Sequence, residues 1–312
     1  MNNHTCQECK KEFEAEKQLH AHIKVHDLRV AAYYQKHFPR YDKHDKKIIK
    51  FKNKKQYFST EFNSRTNLRM WLKDQSLEDK KKFCTGVLSK RKEEKELVYS
   101  PCQVELRSIM SPPIQYYEKE IGDYYEICKS LGFKNKYTTI NNILEEAEWK
   151  NPVYKILVDT REQKPLKFER PFELMTLKYG DYTFDNSNAT CNTYIERKSL
   201  SDFIGTLSGG YERFVNEIKR AEEDGAYLVI LVEDTIENAS NFKYLPYISK
   251  KIRATPEFIF NRVRNLIQKN EHIQFVFVKG RRESARVIEK IFTCGCVHKK
   301  TDLQLAYDKK IL

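Results

Sequence analysis

From residue 153 onward, short apolar runs alternate with amphipathic stretches. VYKILVDTREQKP (153–165) opens as an alternating apolar strand that reaches Asp159 and leaves through a polar exit holding Arg161 and Glu162. FELMTLKYGDYTF (172–184) predicts a second and a third strand, with Gly180 and Asp181 at a turn or bulge. NTYIERKS (192–199) predicts a further strand on which Glu196 and Lys198 share a face, because side-chain direction repeats every two residues. Residues 211–225 then read as a helix packed through Tyr211, Phe214, Val215 and Ile218. YLVILVE (227–233) follows as a buried strand, 256–269 as a helix, IQFVFVK (273–279) as a strand and 282–293 as a closing helix. Helices covering a mixed sheet give this alternation, so the fold class is α/β.

Upstream the pattern changes. Residues 27–58 interleave basic side chains with Tyr33, Tyr34, Phe38, Tyr41, Phe51, Tyr57 and Phe58. They predict a small helical region whose aromatics form its core and whose Lys-rich face meets nucleic acid. Residues 60–100 supply helices, Ser-Pro at 100–101 and Ser-Pro-Pro at 111–113 interrupt them, and more helical segments over 114–149 are separated by Gly122 and Gly132. No particular fold follows for 60–150. The expected domains are therefore 1–28, a basic and mainly helical 29–150, and 151–312.

Composition sharpens the partner. Over 312 residues, 57 Lys and Arg against 44 Asp and Glu leave a net charge of +13, and residues 36–55 carry nine basic side chains against Asp42 and Asp45. Such a balance favours a polyanion, while remaining compatible with an ordinary basic protein. No run approaches the roughly 20 apolar residues needed to cross a bilayer, and none resembles a signal peptide. The expectation is a soluble, intracellular protein without a membrane partner, in cytoplasm or nucleoid if microbial or phage-borne and in the nucleus if eukaryotic. Eight cysteines in a long Lys-rich chain do not make the dense pattern of a secreted scaffold, which fits a reducing compartment.

Two of those cysteines stand in a metal-ligand neighbourhood. Cys6, Cys9, His22 and His26 are separated by two, twelve and three residues. A short turn presents two thiolates, and the His22–His26 spacing puts two imidazoles on one helix face, which together make a tetrahedral Zn²⁺ site with Phe13 and Leu19 beneath it. Residues 4–26 resemble the C2H2 zinc-finger family, which implies a ββα unit that contacts DNA, docks protein or stabilises its own domain. His4 and His20 read as exposed bystanders. CGCVH (294–298) lacks a fourth ligand, so Cys294 and Cys296 read as packed thiols on a closing strand with His298 incidental. Cys84, Cys102 and Cys128 lie too far apart to form a motif.

The C-terminal constellation carries the chemistry. Asp181 and Glu196 can hold a divalent cation on one side of a sheet, with Lys198 near enough to orient water or stabilise charge on an attacked phosphate. LVDTREQ (157–163), GDY (180–182) and IERKSLSDFIGTLSGGYERF (195–214) resemble, in that order, the XPF/MUS81 nuclease family, also called ERCC4-type, over about residues 153–298. The resemblance implies a restriction-endonuclease-like core that uses Mg²⁺ or Mn²⁺ to cut flaps, forks or junctions in DNA. It implies Asp159 and Glu162 in the acidic cluster, Asp181 and Glu196 as leading metal ligands, and Lys198 as the catalytic lysine. Arg161 and Arg197 order carboxylates or approach phosphate, and Asp202 supports a helix start or a second cation. A homodimer, or a heterodimer with a noncatalytic companion, is implied too. The family's tandem helix-hairpin-helix region is not apparent after residue 298, leaving the finger and the basic middle to supply DNA affinity.

Three other readings remain: an inactive DNA-binding scaffold of the same fold, an RNA- or single-strand-directed nuclease, and a zinc-finger regulator without catalysis. The regulator leaves the acidic constellation unexplained, and a surface lattice of salt bridges does not account for its ordered recurrence.

Overall fold

A computed structural model of the protein describes residues 4–139, 154–185 and 192–312, with positions 141, 143 and 145. Most of the helical pattern expected over 140–149 lies outside the described residues. The chain divides into two compact units, one of residues 1–80 with 110–112 and the other of 81–109 with 113–312.

The first unit begins with a two-stranded antiparallel ribbon, β1 (His4–Thr5) and β2 (Glu12–Phe13), followed by α1 (Glu16–His22) and a 3-10 turn over Ile23–His26. Helices α2 (Val30–His37), α3 (Lys54–Ser59) and α4 (Arg65–Lys73) come next. Cys6, Leu19 and Ile23 share one core with Tyr33, Tyr34, Ile49 and Tyr57. Of the aromatics expected to be core, Tyr33, Tyr34 and Tyr57 are buried, whereas Phe38, Tyr41 and Phe58 keep substantial exposure. His20 is not the expected bystander: it is half-buried, and its Nε2 lies 3.1 Å from the Tyr34 hydroxyl.

The second unit is built on a six-stranded mixed sheet. Its strands are β3 (Lys155–Asp159), β4 (Phe172–Met175), β5 (Tyr182–Asp185), β6 (Thr193–Lys198), β7 (Tyr227–Val232) and β8 (Ile273–Phe277), in the order β4-β3-β5-β6-β7-β8. β3 and β5 are antiparallel, as are β5 and β6, while β6, β7 and β8 run parallel. A strand covered on both faces must be apolar throughout, and all six residues of β7 are buried. Leu228, Ile230 and Val232 face one core, and Tyr227, Val229 and Leu231 the other.

The first core is completed by α9 (Leu200–Ser208), α10 (Tyr211–Glu223) and α12 (Pro256–Lys269), through Phe203, Phe214, Ile218 and Val263. Four earlier helices join the same core: α5 (Leu77–Lys95, from residue 81), α6 (Gln103–Ser108), α7 (Ile114–Glu120) and α8 (Tyr124–Ser130), through Leu88, Leu106, Tyr117 and Tyr124. A short α11 (Ile236–Ser240) follows β7. The opposite face is covered by α13 (Gly280–Thr293) and α14 (Leu303–Asp308), with Val287, Ile291, Phe292 and Leu303 inward. Buried Asp302 accepts the Gln103 N–H at 2.7 Å and the Leu305 N–H at 3.0 Å, tying α14 to α6.

The CGCVH segment departs from expectation. It is a 3-10 turn rather than a closing strand, with Cys294 donating to the Ile291 carbonyl. His298 is fully buried against Tyr227, its Nε2 3.0 Å from the Thr193 hydroxyl, and burial holds the imidazole neutral by pushing its pKa down to about 3.

The turn into β5 explains the GDY sequence. Gly180 has φ of +59°, and a Cβ there would lie 2.7 Å from the Ile195 carbonyl oxygen, the same oxygen that accepts the Asp181 N–H at 2.8 Å. Left-handed backbone costs an L-residue roughly 1–2 kcal/mol, and here the contact is with backbone that cannot step aside. Gly180→Ala should therefore lower unfolding free energy by at least about 2 kcal/mol. Gly225→Ala, with φ of +68° and open space around it, should lose only about 1 kcal/mol. Urea midpoints of the two variants check the difference.

Candidate active site

The strand register collects the predicted acids. Val158 pairs with Tyr182 and Tyr182 with Ile195, so Asp159, Asp181 and Glu196 fall on neighbouring strand ends. Main-chain bonds fix this step: the Asp159 N–H donates to the Asp181 carbonyl at 2.9 Å and the Asp181 N–H to the Ile195 carbonyl at 2.8 Å. β6 and β7 are parallel with Lys198 opposite Val232, which places the carboxyl end of β7 beside the cluster. Ligand sites in open α/β sheets gather at such strand ends.

The carboxylates divide by what holds them. Asp159 is almost fully buried and takes four hydrogen bonds: from Arg161 N–H and Nε at 2.7 Å each, Arg161 Nη2 at 2.9 Å and the Leu177 N–H at 2.8 Å. The Arg161 guanidinium, helped by these backbone donors, holds its carboxyl down at about 2 despite burial. Glu162 accepts from Arg197 Nη2 at 2.7 Å, and Arg197 Nη1 reaches Glu233 at 2.8 Å. Burial opposes the Arg197 charge, yet the two carboxylates hold it firmly protonated. Asp159 and Glu162 are thus each matched to an arginine.

Asp181 and Glu196 have no arginine between them. Asp181 accepts the Arg197 backbone N–H at 2.7 Å, and Glu196 accepts Lys198 Nζ at 2.7 Å. Burial, with the Glu196 charge next, pushes the Asp181 carboxyl up to about 7. Both line a cleft of about 590 Å³ with Asp159, Arg161, Arg213 and Glu217 on its walls. Lys178 and Arg220 line it too, making its rim basic. Glu162, Arg197, Lys198 and Asp202 do not line this cleft. Lys198 touches it through Glu196 and lies over the Phe214 ring at 5.4 Å from its centroid. Asp202 stands at the start of α9, where it accepts the Ser199 hydroxyl at 2.7 Å while Ser199 caps the Asp202 N–H.

Two functional candidates were missed in the sequence. Glu217 reaches the cleft from α10, and burial, then Glu196, raises its pKa. Its signal is its place within the amphipathic helix, close to Phe214 and Ile218. The mark Glu233 leaves in the sequence is its place at the end of a wholly apolar strand. Of the basic residues on α10, Arg213 and Arg220 line the cleft, and Lys219 lines an adjoining surface hollow with both.

The first unit carries a separate ligand set. Cys6, Cys9, His22 and His26 present ligand atoms all within 4.8 Å of one another. Cys9 Sγ lies 3.1 Å from His22 Nε2, Cys6 Sγ 3.5 Å from His26 Nε2, and the two Nε2 atoms are 3.1 Å apart. Two thiolates and two imidazoles converging on one point fit tetrahedral Zn²⁺. Among the described residues, no other group of three or more His, Cys, Asp or Glu ligands converges in this way.

The second unit therefore belongs to the class of mixed-sheet α/β domains with a restriction-endonuclease-like architecture and an acidic cleft at its strand ends. Within it, residues 158–291 match the family described as the ERCC4 domain. Two solved structures are similar at 22% identity: XPF from Aeropyrum pernix in complex with DNA (TM-score 0.34) and XPF from Aeropyrum pernix (TM-score 0.33). The alignments cover 45% and 44% of this chain and 63% and 59% of those chains, less than two thirds of either. No curated protein matches the chain.

The finger's ligands and Tyr33 share one core, since Cys6 is buried with Tyr33 and the Tyr33 hydroxyl accepts the Gln7 N–H at 2.7 Å. Structural zinc in such peptides contributes on the order of 10–16 kcal/mol of apparent folding free energy. Chelation should abolish amide protection over residues 4–60 and leave that of β7 and β8 intact, as read by hydrogen exchange. Cys9→Ser should show the same loss without chelator.

Proposed function

We propose that this protein is a divalent-cation-dependent DNA endonuclease that hydrolyses phosphodiesters at flaps, forks or junctions. The observation that carries the proposal is the Asp181–Glu196 pair: two adjacent, half-buried carboxylates without an arginine partner, in a cleft rimmed by Lys178, Arg213 and Arg220. Paired acids in such a place repel one another and any phosphate, and a hard cation bound by their oxygens relieves both effects. The donor set fits Mg²⁺ or Mn²⁺, with Asp181 and Glu196 as the ligands. Such a cation supplies an activated water and polarises the phosphate.

The chain's own residues do the rest. Arg161 and the Leu177 N–H keep Asp159 ionised and still, so that it closes the acidic wall. Arg197 spans Glu162 and Glu233 and offers its backbone N–H to Asp181, which fixes the direction of that carboxylate. Lys198 is held at Glu196, one side chain from the cleft, where its ammonium orients water or offsets charge on the attacked phosphate. Arg213, Arg220 and Lys178 bind the flanking phosphates. A branch offers a bendable backbone that enters such a cleft without the full cost of unstacking a duplex, about a few kcal/mol.

Asp181→Asn and Glu196→Gln should each lower Mg²⁺-dependent cleavage by about a hundredfold or more with the fold retained, since each tenfold is about 1.4 kcal/mol of barrier. Lys198→Ala should reduce rate more than DNA affinity. The panel is single strand, blunt duplex, 3′ flap, 5′ flap, fork and four-way junction of equal length, with a matched RNA strand. Near-wild-type rates for both acid variants would remove the site assignment, and equal cutting of intact duplex and branches would remove the branch preference.

A further inference from the structure

The carboxyl end of β7 leads away from the cleft into a segment with an unusual surface. Glu233 follows β7 and its N–H donates to the Lys198 carbonyl at 2.9 Å. Asp234 comes next, and its Oδ2 accepts the Tyr247 hydroxyl at 2.8 Å, while Asn238 Nδ2 donates to the same hydroxyl at 3.4 Å. The Tyr247 ring is therefore anchored at its tip two residues beyond the strand position that pairs with Lys198. It nevertheless remains 57% exposed, and Tyr244, three residues earlier, is 79% exposed. Residues 243–253 hold Lys243, Lys250, Lys251 and Arg253 and no acid. Lys243 folds back onto the Ile252 carbonyl, whereas Lys250, Lys251 and Arg253 are exposed and make no ion pair among the described residues.

We propose that residues 244–253 form a stacking platform for an unpaired DNA strand passing beside the cleft, with Tyr247 and Tyr244 taking bases and Lys250, Lys251 and Arg253 taking phosphates. An aromatic ring held at its hydroxyl loses little entropy when a base covers its face, and every base has a face to offer. Stacked duplex offers none, so the platform discriminates by strand state, while the acid-free cationic stretch selects a polyanion over an apolar protein partner. The assignment rests on the proposed nuclease reading for its choice of DNA, and it adds where the single-stranded arm of a branch would lie.

The test is anisotropy binding of a labelled dT oligonucleotide and a blunt duplex of equal length to the full zinc-loaded chain, without added Mg²⁺. Tyr247→Ala and Tyr244→Ala should each weaken dT binding about fivefold or more and leave duplex binding unchanged. Tyr247→Phe, which keeps the ring and drops the bond to Asp234, should retain most of the dT affinity. Because Tyr244 carries no side-chain hydrogen bond among the described residues, its variant separates stacking from loop folding. Wild-type dT affinity in both alanine variants, equal weakening of dT and duplex, or a Tyr247→Phe loss as large as that of alanine would overturn the platform. Cleavage by these variants reports on the nuclease reading separately: ring-dependent dT binding by a protein that cuts nothing keeps the platform and removes the nuclease, and the converse result does the opposite.

Discussion

The second unit is organised around two adjacent carboxylates, Asp181 and Glu196, that no arginine side chain bonds among the described residues. Asp159, Glu162, Asp181 and Glu196 lie together at this sheet end, and two of them, Asp159 and Glu162, are each met by an arginine at hydrogen-bond distance. The other two, Asp181 and Glu196, share one lysine and one backbone N–H. Burial, and next the Glu196 charge beside it, raises the free energy of ionising Asp181, whose carboxyl is pushed up to about 7. A fold that needed only stability would have covered this pair with another arginine or replaced it by apolar side chains. The strain is local and survives because the surrounding sheet is covered on both faces.

Each supporting feature follows from holding that pair in place. The left-handed Gly180 lets the chain pass against Ile195, which brings Asp181 level with Glu196. The parallel pairing of β6 with β7 puts Glu233 where Arg197 can span it and Glu162, so the guanidinium is fixed from both sides and its backbone N–H stays aimed at Asp181. α10 packs through Phe214 and Ile218 and thereby carries Arg213, Glu217 and Arg220 to the cleft wall. Packing and chemistry are the two faces of one helix.

Much of this geometry was readable in residue order. Period-two alternation placed Glu196 and Lys198 on one face, and their side chains do meet at 2.7 Å. GDY announced a turn, and the apolar run at 227–232 announced a doubly covered strand. The finger spacing placed four ligands that the structure brings together. Features set by tertiary pairing were not legible. Periodicity gives a helix its apolar face but not its partner, so Leu88, Leu106 and Tyr124 gave no hint that they join the core of the sheet. Glu217 looked like any solvated helix charge, and Glu233 like the end of a strand. His20 and His298 look incidental in the sequence because a hydroxyl partner distant along the chain, Tyr34 for one and Thr193 for the other, leaves no local mark.

Whether the Asp181–Glu196 pair is a cation site decides what the cleft does. The most direct measurement is anomalous diffraction from crystals soaked in Mn²⁺ and held above pH 7, where the Asp181 carboxyl is ionised. One anomalous peak is expected in the cleft, bound by an oxygen from each of Asp181 and Glu196 and lost in Glu196→Gln. A cleft without a peak at saturating Mn²⁺, or a peak that persists unchanged in the Glu196→Gln crystals, would contradict it.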